Sequence, residues 1–160
     1  MDPKSPDRHS IKNGLYFEEF LTDRNYVTNS RTITETDHIN FISSFGFFEP
    51  LFMDQAYVAA ETPYDGRIVP GALTFSVSEG LTILSGILHG TGMAFLEVKL
   101  KVLKPVFIDD TITVEIAVLT KRETKKTDRG IVTFFQRVIN QDNTSVMEYN
   151  IKRMIRRKPG

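Results

Sequence analysis

The chain contains no cysteine. That absence excludes disulfides, thiolate nucleophiles and zinc–cysteine centres together, and it argues against a small secreted scaffold. An excess of charge of either sign is also missing, since 20 Lys plus Arg residues balance 20 Asp plus Glu. A net charge of zero leaves no electrostatic footprint for nucleic acid or an anionic membrane. No run of about twenty apolar residues is present to cross a bilayer. The polar opening MDPKSPDRHS, with two prolines, does not have the form of a signal peptide. The three histidines, His9, His38 and His89, show no metal-ligand spacing and read as surface or capping residues. Internal repeats and low-complexity tracts are absent as well. The expectation is a cytoplasmic protein with no metal and no cofactor: one domain over 14–160 behind a flexible leader at 1–13.

What is present falls into two regimes of hydrophobic period. The first half is helical. TITETDHINFISSF (32–45) opens with Thr34 or Thr36 as a cap and acids in the first turn. Ile39, Phe41 and Ile42 then follow at helical spacing. Gly46 and Pro50 break the next stretch, GFFEPLFMD (46–54), into a loop. MDQAYVAAET (53–62) reads as a short helix capped by Asp54 and stopped by Pro63. The longest apolar segment, 67–90, carries Leu73, Val77, Leu81, Leu84 and Leu88 on one stripe. Phe75, Ile83 and Ile87 lie on other faces, so a long buried helix is expected, with Pro70 in its first turn and Gly90 or Gly92 at its end.

From position 94 the period changes to two. Segments 94–102, 111–123, 130–140 and 145–155 alternate apolar and polar residues and read as strands, with KKTDRG and NQDNTS as tight turns. KPVFIDD (104–110) is a loop or bulge. Asp109 and Asp110, being adjacent in a strand-like segment, point apart and cannot form a paired-carboxylate site. Two earlier strands are expected at 15–20 and 26–32. The predicted class is α+β: an antiparallel meander wrapped around a central helix.

That layout, and four blocks within it, are similar to a known family. TITETDHINFISSFG, EPLFMDQAY, GRIVPGALT and LKPVFIDDTITVEI resemble successive blocks of the MaoC-like dehydratases of the hotdog superfamily, which include the R-specific enoyl-CoA hydratases. GRIVPG (66–71) and KPVFIDDTITV (104–114) are the most specific pieces, and the resemblance runs from about Leu15 to the C-terminus. It implies a homodimer, or a heterodimer with a homologue. It also implies a substrate carried as a thioester of coenzyme A or acyl carrier protein, and addition of water to a trans-2-enoyl group or the reverse, as in fatty acid metabolism.

In catalytic members of that family the loop reads Gly-Asp-x-Asn-Pro-x-His, and the acid and imidazole share one water. Here the same frame reads Gly46-Phe47-Phe48-Glu49-Pro50-Leu51-Phe52. Phe47 stands at the aspartate position, Phe52 at the histidine position and Glu49 at the asparagine position. Neither ring can move a proton. Phe47 and Phe52 are therefore expected as pocket wall, with Glu49 as an alternative carboxyl acting alone. The resemblance also places substrate at Val69, Gly71 and Ala72, where free amides at a helix start favour a thioester oxygen. Glu79, two turns into the helix, is the remaining candidate: an active carboxylate as in hotdog thioesterases, or a paired structural one. The basic runs 121–126 and 152–158 read as a solvated hairpin tip and a trailing strand, with coenzyme A phosphates as the alternative ligand. Two functions stay open: an acyl-thioester enzyme (hydratase, dehydratase or thioesterase), or a non-catalytic acyl-thioester binder.

Overall fold

Alternation after position 90 produces the sheet, and the helical period before it produces the layer packed on that sheet. The structure, a computed structural model, describes residues 14–160, so the leader expected at 1–13 lies outside the described residues. Two short strands come first, β1 (Asn25–Val27) and β2 (Arg31–Thr32). Three helices follow: α1 (Glu35–Phe45), α2 (Pro50–Met53) and α3 (Gln55–Glu61). The fourth helix, α4 (Gly71–Leu84), leads into four long strands: β3 (Gly92–Val102), β4 (Thr111–Glu123), β5 (Arg129–Ile139) and β6 (Ser145–Arg156).

The sheet is antiparallel in the order β1-β4-β5-β6-β3, and β2 also pairs with β4. One face is apolar. Val114, Ile116 and Val118 of β4, Val132 and Phe134 of β5, and Tyr149, Ile151 and Ile155 of β6 are buried there with Leu73, Val77 and Leu81 of α4. Each such side chain contributes about 1.5–3 kcal/mol by leaving water, so this layer dominates the stability of the fold.

Several sequence-based expectations need correction. Leu15–Phe20 is not a strand: residues Phe17–Glu19 form a single 3-10 turn, in which the Glu19 carboxylate accepts from the Tyr16 amide at 2.9 Å. This segment docks by its rings. Phe17 lies so close over Gly130 that a Cβ there would sit 2.4 Å from the ring, and Phe20 meets Phe134 edge-on at 5.1 Å. The strand expected at 26–32 is divided into β1 and β2, because the Thr28 hydroxyl accepts from the Val114 amide at 3.0 Å and interrupts the ladder. The loop at 46–54 contains the one-turn α2, with Pro50 at its first position. The long helix is shorter than its apolar run. Pro70 is its N-cap, and it ends at Leu84, before Gly86 turns the chain with φ 82°. Leu88 thus lies beyond the helix, and Leu84 and Ile83 are exposed rather than buried.

The 104–110 segment is a turn, in keeping with the loop or bulge expected there. Asp109 adopts φ 72°, and the Asp110 carboxylate accepts from the Phe107 amide at 2.8 Å and from Gln141 Nε2 at 2.7 Å. The strand alternation expected to point the two aspartates apart is therefore absent here. In the C-terminal run Lys152 pairs with Glu97, Arg153 with Glu79, Arg157 with Glu18 and Glu123, and Lys158 with Glu19.

Candidate functional site

Short-range chemistry shapes the phenylalanine loop. Thr34 and Asp37 cap the start of α1 reciprocally. Gly46 ends it in the left-handed conformation at φ 72°, which a residue without a Cβ adopts at no steric cost. Pro50 starts α2, and the Asp54 carboxylate then accepts from the amides of Ala56 and Tyr57 to start α3. Three tight turns in succession fold 46–54 back on itself. The result brings the Phe47 and Phe52 rings together at 6.3 Å between centroids, with Phe41 5.1 Å from Phe47. Phe47 and Phe52 are half-buried, and Phe48 is exposed. Glu49 is exposed at the N-cap of α2 and its side chain makes no capping bond.

His38 corrects the expectation of a surface residue. It is fully buried. Its Nε2 lies 2.8 Å from the Phe52 carbonyl oxygen, and since a carbonyl can only accept, Nε2 carries the proton. Nδ1 is buried and without a partner among the described residues. The helix period that put Ile42 inside also put His38 inside, because positions four apart share a face. This histidine holds the loop by its backbone, at Phe52.

A second feature lies at the start of α4. Gly71 and Ala72 have amides without hydrogen-bond partners among the described residues, while the amides of Leu73 and Thr74 both point to the Pro70 carbonyl. A cleft of about 300 Å³ opens there, with Val69, Gly71 and Thr74 on one side and Val102, Lys104 and Val146 among those opposite. Of the residues expected to bind substrate, Val69 and Gly71 line this cleft. Phe47, Phe52 and Ala72 do not.

Glu79 belongs to a third arrangement. Its carboxylate accepts from Arg153 Nη2 and, at 3.0 Å, from the Tyr149 hydroxyl. The Ser78 hydroxyl lies 3.0 Å from the same phenol oxygen, and Gln136 Nε2 donates to Thr82 at 2.7 Å. Burial, reinforced by the Glu79 charge, pushes the Tyr149 phenol well above its ordinary range, so it remains a donor. Glu79 lies eight residues, about 12 Å of helix, from Gly71. The sequence reading missed this network, although Thr74, Ser78 and Thr82 recur every four residues, an unusual polar stripe along an apolar helix.

A family model described as the MaoC like domain matches residues 19–138. The chain belongs to the MaoC-like domain family. It is 33% identical over 115 residues to Protein MaoC of Klebsiella aerogenes and 37% identical over 94 residues to the (R)-specific enoyl-CoA hydratase of Aeromonas caviae. Those matches take in 72% and 59% of this chain, and the chain spans 33% of the first relative and 65% of the second. The structure of a monoamine oxidase regulatory protein from Archaeoglobus fulgidus superposes with a TM-score of 0.83 at 32% identity, covering 92% of this chain and 98% of that one. A Mycobacterium tuberculosis protein described as a double hotdog fold superposes with a TM-score of 0.81 at 19% identity, over 92% of this chain and 47% of that one. The sheet and α4 of this MaoC-like chain form a hotdog fold. Among its described residues no helix is long and apolar enough to cross a membrane, and no cluster of three His, Asp or Glu is arranged to hold a metal ion.

Proposed function

We propose that this MaoC-like chain binds an acyl thioester of coenzyme A or acyl carrier protein and does not itself hydrate it. The single observation that carries the proposal is the contact of the Phe47 and Phe52 rings at 6.3 Å. Two carbon rings in mutual contact occupy the loop positions where the family's acid and imidazole would share a water. Neither ring accepts or donates a proton, so general acid–base hydration has no agent at those positions. The carbonyl-binding half of such a site needs only backbone. The amides of Gly71 and Ala72, at the positive end of a 14-residue helix and without partners among the described residues, are suited to supply it.

Glu49 and Glu79 are the two carboxylates able to replace the pair. Glu49 is exposed, and Glu79 is already engaged by a guanidinium and a phenol. The chain also has the means to pair with a second subunit, whether a copy of itself or a catalytic homologue, through the outer edge of β3. That strand bears the exposed residues Phe95, Leu96, Leu100 and Val102.

The test follows the enoyl absorbance of crotonyl-CoA, with thiol release from several acyl-CoAs measured in parallel. The wild-type chain is expected to bind crotonyl-CoA in a calorimetric titration and to turn it over at the background rate. The double variant Phe47→Asp with Phe52→His is expected to gain hydratase activity that neither single variant has, because each group needs the other. Wild-type turnover that falls in Glu49→Gln or Glu79→Gln would sink the binding-only reading.

A further inference from the structure

Four of the five serine and threonine hydroxyls along 74–85 whose partners can be followed on α4 return to its own carbonyls. Ser76 donates to Ala72, Ser78 to Phe75, Thr82 to Ser78, and Ser85 to Thr82. This is the usual fate of a hydroxyl inside a helix. Thr74 is the exception. It is 1% exposed, and its Oγ1 has no partner among the described residues. The reason lies one turn earlier. The carbonyl it would reach back to, that of Pro70, already accepts from the amides of Leu73 and Thr74 at 2.9 and 3.1 Å. A carbonyl oxygen has two lone pairs, and both are taken.

A buried, unpartnered hydroxyl is costly to keep, so its surroundings matter. Thr74 lines the cleft at the start of α4 together with Gly71, three residues earlier on the same helix face. Gly71 contributes an amide that has no hydrogen-bond partner among the described residues. The only charged residue in the lining is Lys104, no carboxylate is present, and the remaining walls are mainly aliphatic: Ile68, Val69, Val102 and Val146 among them. The lining thus brings a backbone N–H and a buried, unpartnered O–H together in mainly apolar surroundings with one cation.

We infer that the Thr74 hydroxyl is a second donor, beside the Gly71 amide, to the carbonyl oxygen of a bound acyl thioester. The inference rests on the acyl-thioester reading above and names a side chain for it. Two donors on one oxygen fix the direction of the C=O bond as well as its position, which a lone backbone amide does not do. Thr74 is a binding and orienting residue; no proton leaves it.

The experiment separates this contact from the broader reading. The full chain is titrated calorimetrically with butyryl-CoA and with S-butyl-CoA, a thioether that lacks only the carbonyl oxygen. In the wild type, butyryl-CoA is expected to bind more tightly. Thr74→Val, which keeps the shape and removes the hydroxyl, is expected to weaken butyryl-CoA by about three- to tenfold and to leave S-butyl-CoA unchanged. Thr74→Ser should retain the preference. Because the hydroxyl has no partner among the described residues, Thr74→Val should also raise Tm, by about 2–4 °C. Unchanged butyryl-CoA affinity in Thr74→Val, equal losses for both ligands, or a lower Tm would each overturn the assignment while leaving acyl-thioester binding intact. A wild type that binds neither ligand would overturn both.

Discussion

The identity of a few side chains decides what chemistry this molecule can support. Phe47 and Phe52 place two aromatic rings, and no titratable group, at the ends of a loop whose backbone is shaped by Gly46, Pro50 and Asp54. Glu79 shows the opposite case, a carboxylate retained but occupied. Its partner Arg153 has a side chain only 9% exposed, beside 14% for Glu79 itself, and the guanidinium also lies 6.0 Å over the Phe95 ring. Taking away one member of so enclosed a pair leaves the other charge without compensation. Arg153→Met is therefore expected to lower unfolding free energy by about 3 kcal/mol, measured by urea denaturation. Adding Glu79→Leu to that variant should restore much of the loss, because the stranded charge goes with it. A loss in the double variant equal to the sum of the two single losses would show that the pair is not coupled.

Elements form where local chemistry agrees with burial, and they end where a cap or a backbone demand intervenes. Helix α1 illustrates the start. The Thr34 hydroxyl accepts from the Asp37 amide at 3.2 Å while the Asp37 carboxylate accepts from the Thr34 amide at 2.9 Å. Thr34→Ala is expected to cost about 1 kcal/mol by urea denaturation. Partial burial acts to raise the Asp37 carboxyl, but the Thr34 bonds and the Arg31 guanidinium outweigh it and hold the group below its ordinary value. This contribution is fully present above the ordinary carboxylate range and is lost as pH falls through the lowered value. Helix α4 illustrates the end. Its apolar run continues past Leu84, yet Gly86 at φ 82° turns the chain and frees Ile87 and Leu88 to pack as a loop against the core. Periodicity alone cannot locate that stop, because the residues after the turn are as apolar as those before it.

Across the whole molecule the notable imbalance is between the two edges of the sheet. One edge is shielded by short strands; the other is β3, eleven residues long and mostly exposed. An exposed apolar edge strand is a template for pairing with another chain. Sedimentation velocity is expected to find a dimer for the wild type and a shift toward monomer for Leu96→Lys, which places a charge on the edge. A monomeric wild type would remove the β3 edge from the proposal. The alternation that made 94–102 legible as a strand said nothing of this. It predicted Ala94, Leu96, Val98, Leu100 and Val102 on one buried side, whereas only Glu97 and Val98 are even half-buried, and two register shifts interrupt the pairing with β6.

Local order in the chain was enough to determine the class of fold, the four long strands, and the Thr34 and Asp54 caps. Each of these depends on neighbours within a few residues. The tertiary structure alone decided that Leu15–Phe20 becomes a ring-anchored turn over Gly130 and that His38 is buried against the Phe52 carbonyl. It alone joined Glu79 to residues 70 and 74 positions away, Tyr149 and Arg153, and left the Thr74 hydroxyl without a partner among the described residues. These outcomes turn on which groups compete for the same donor, acceptor or space, and that competition is between parts of the chain far apart in sequence.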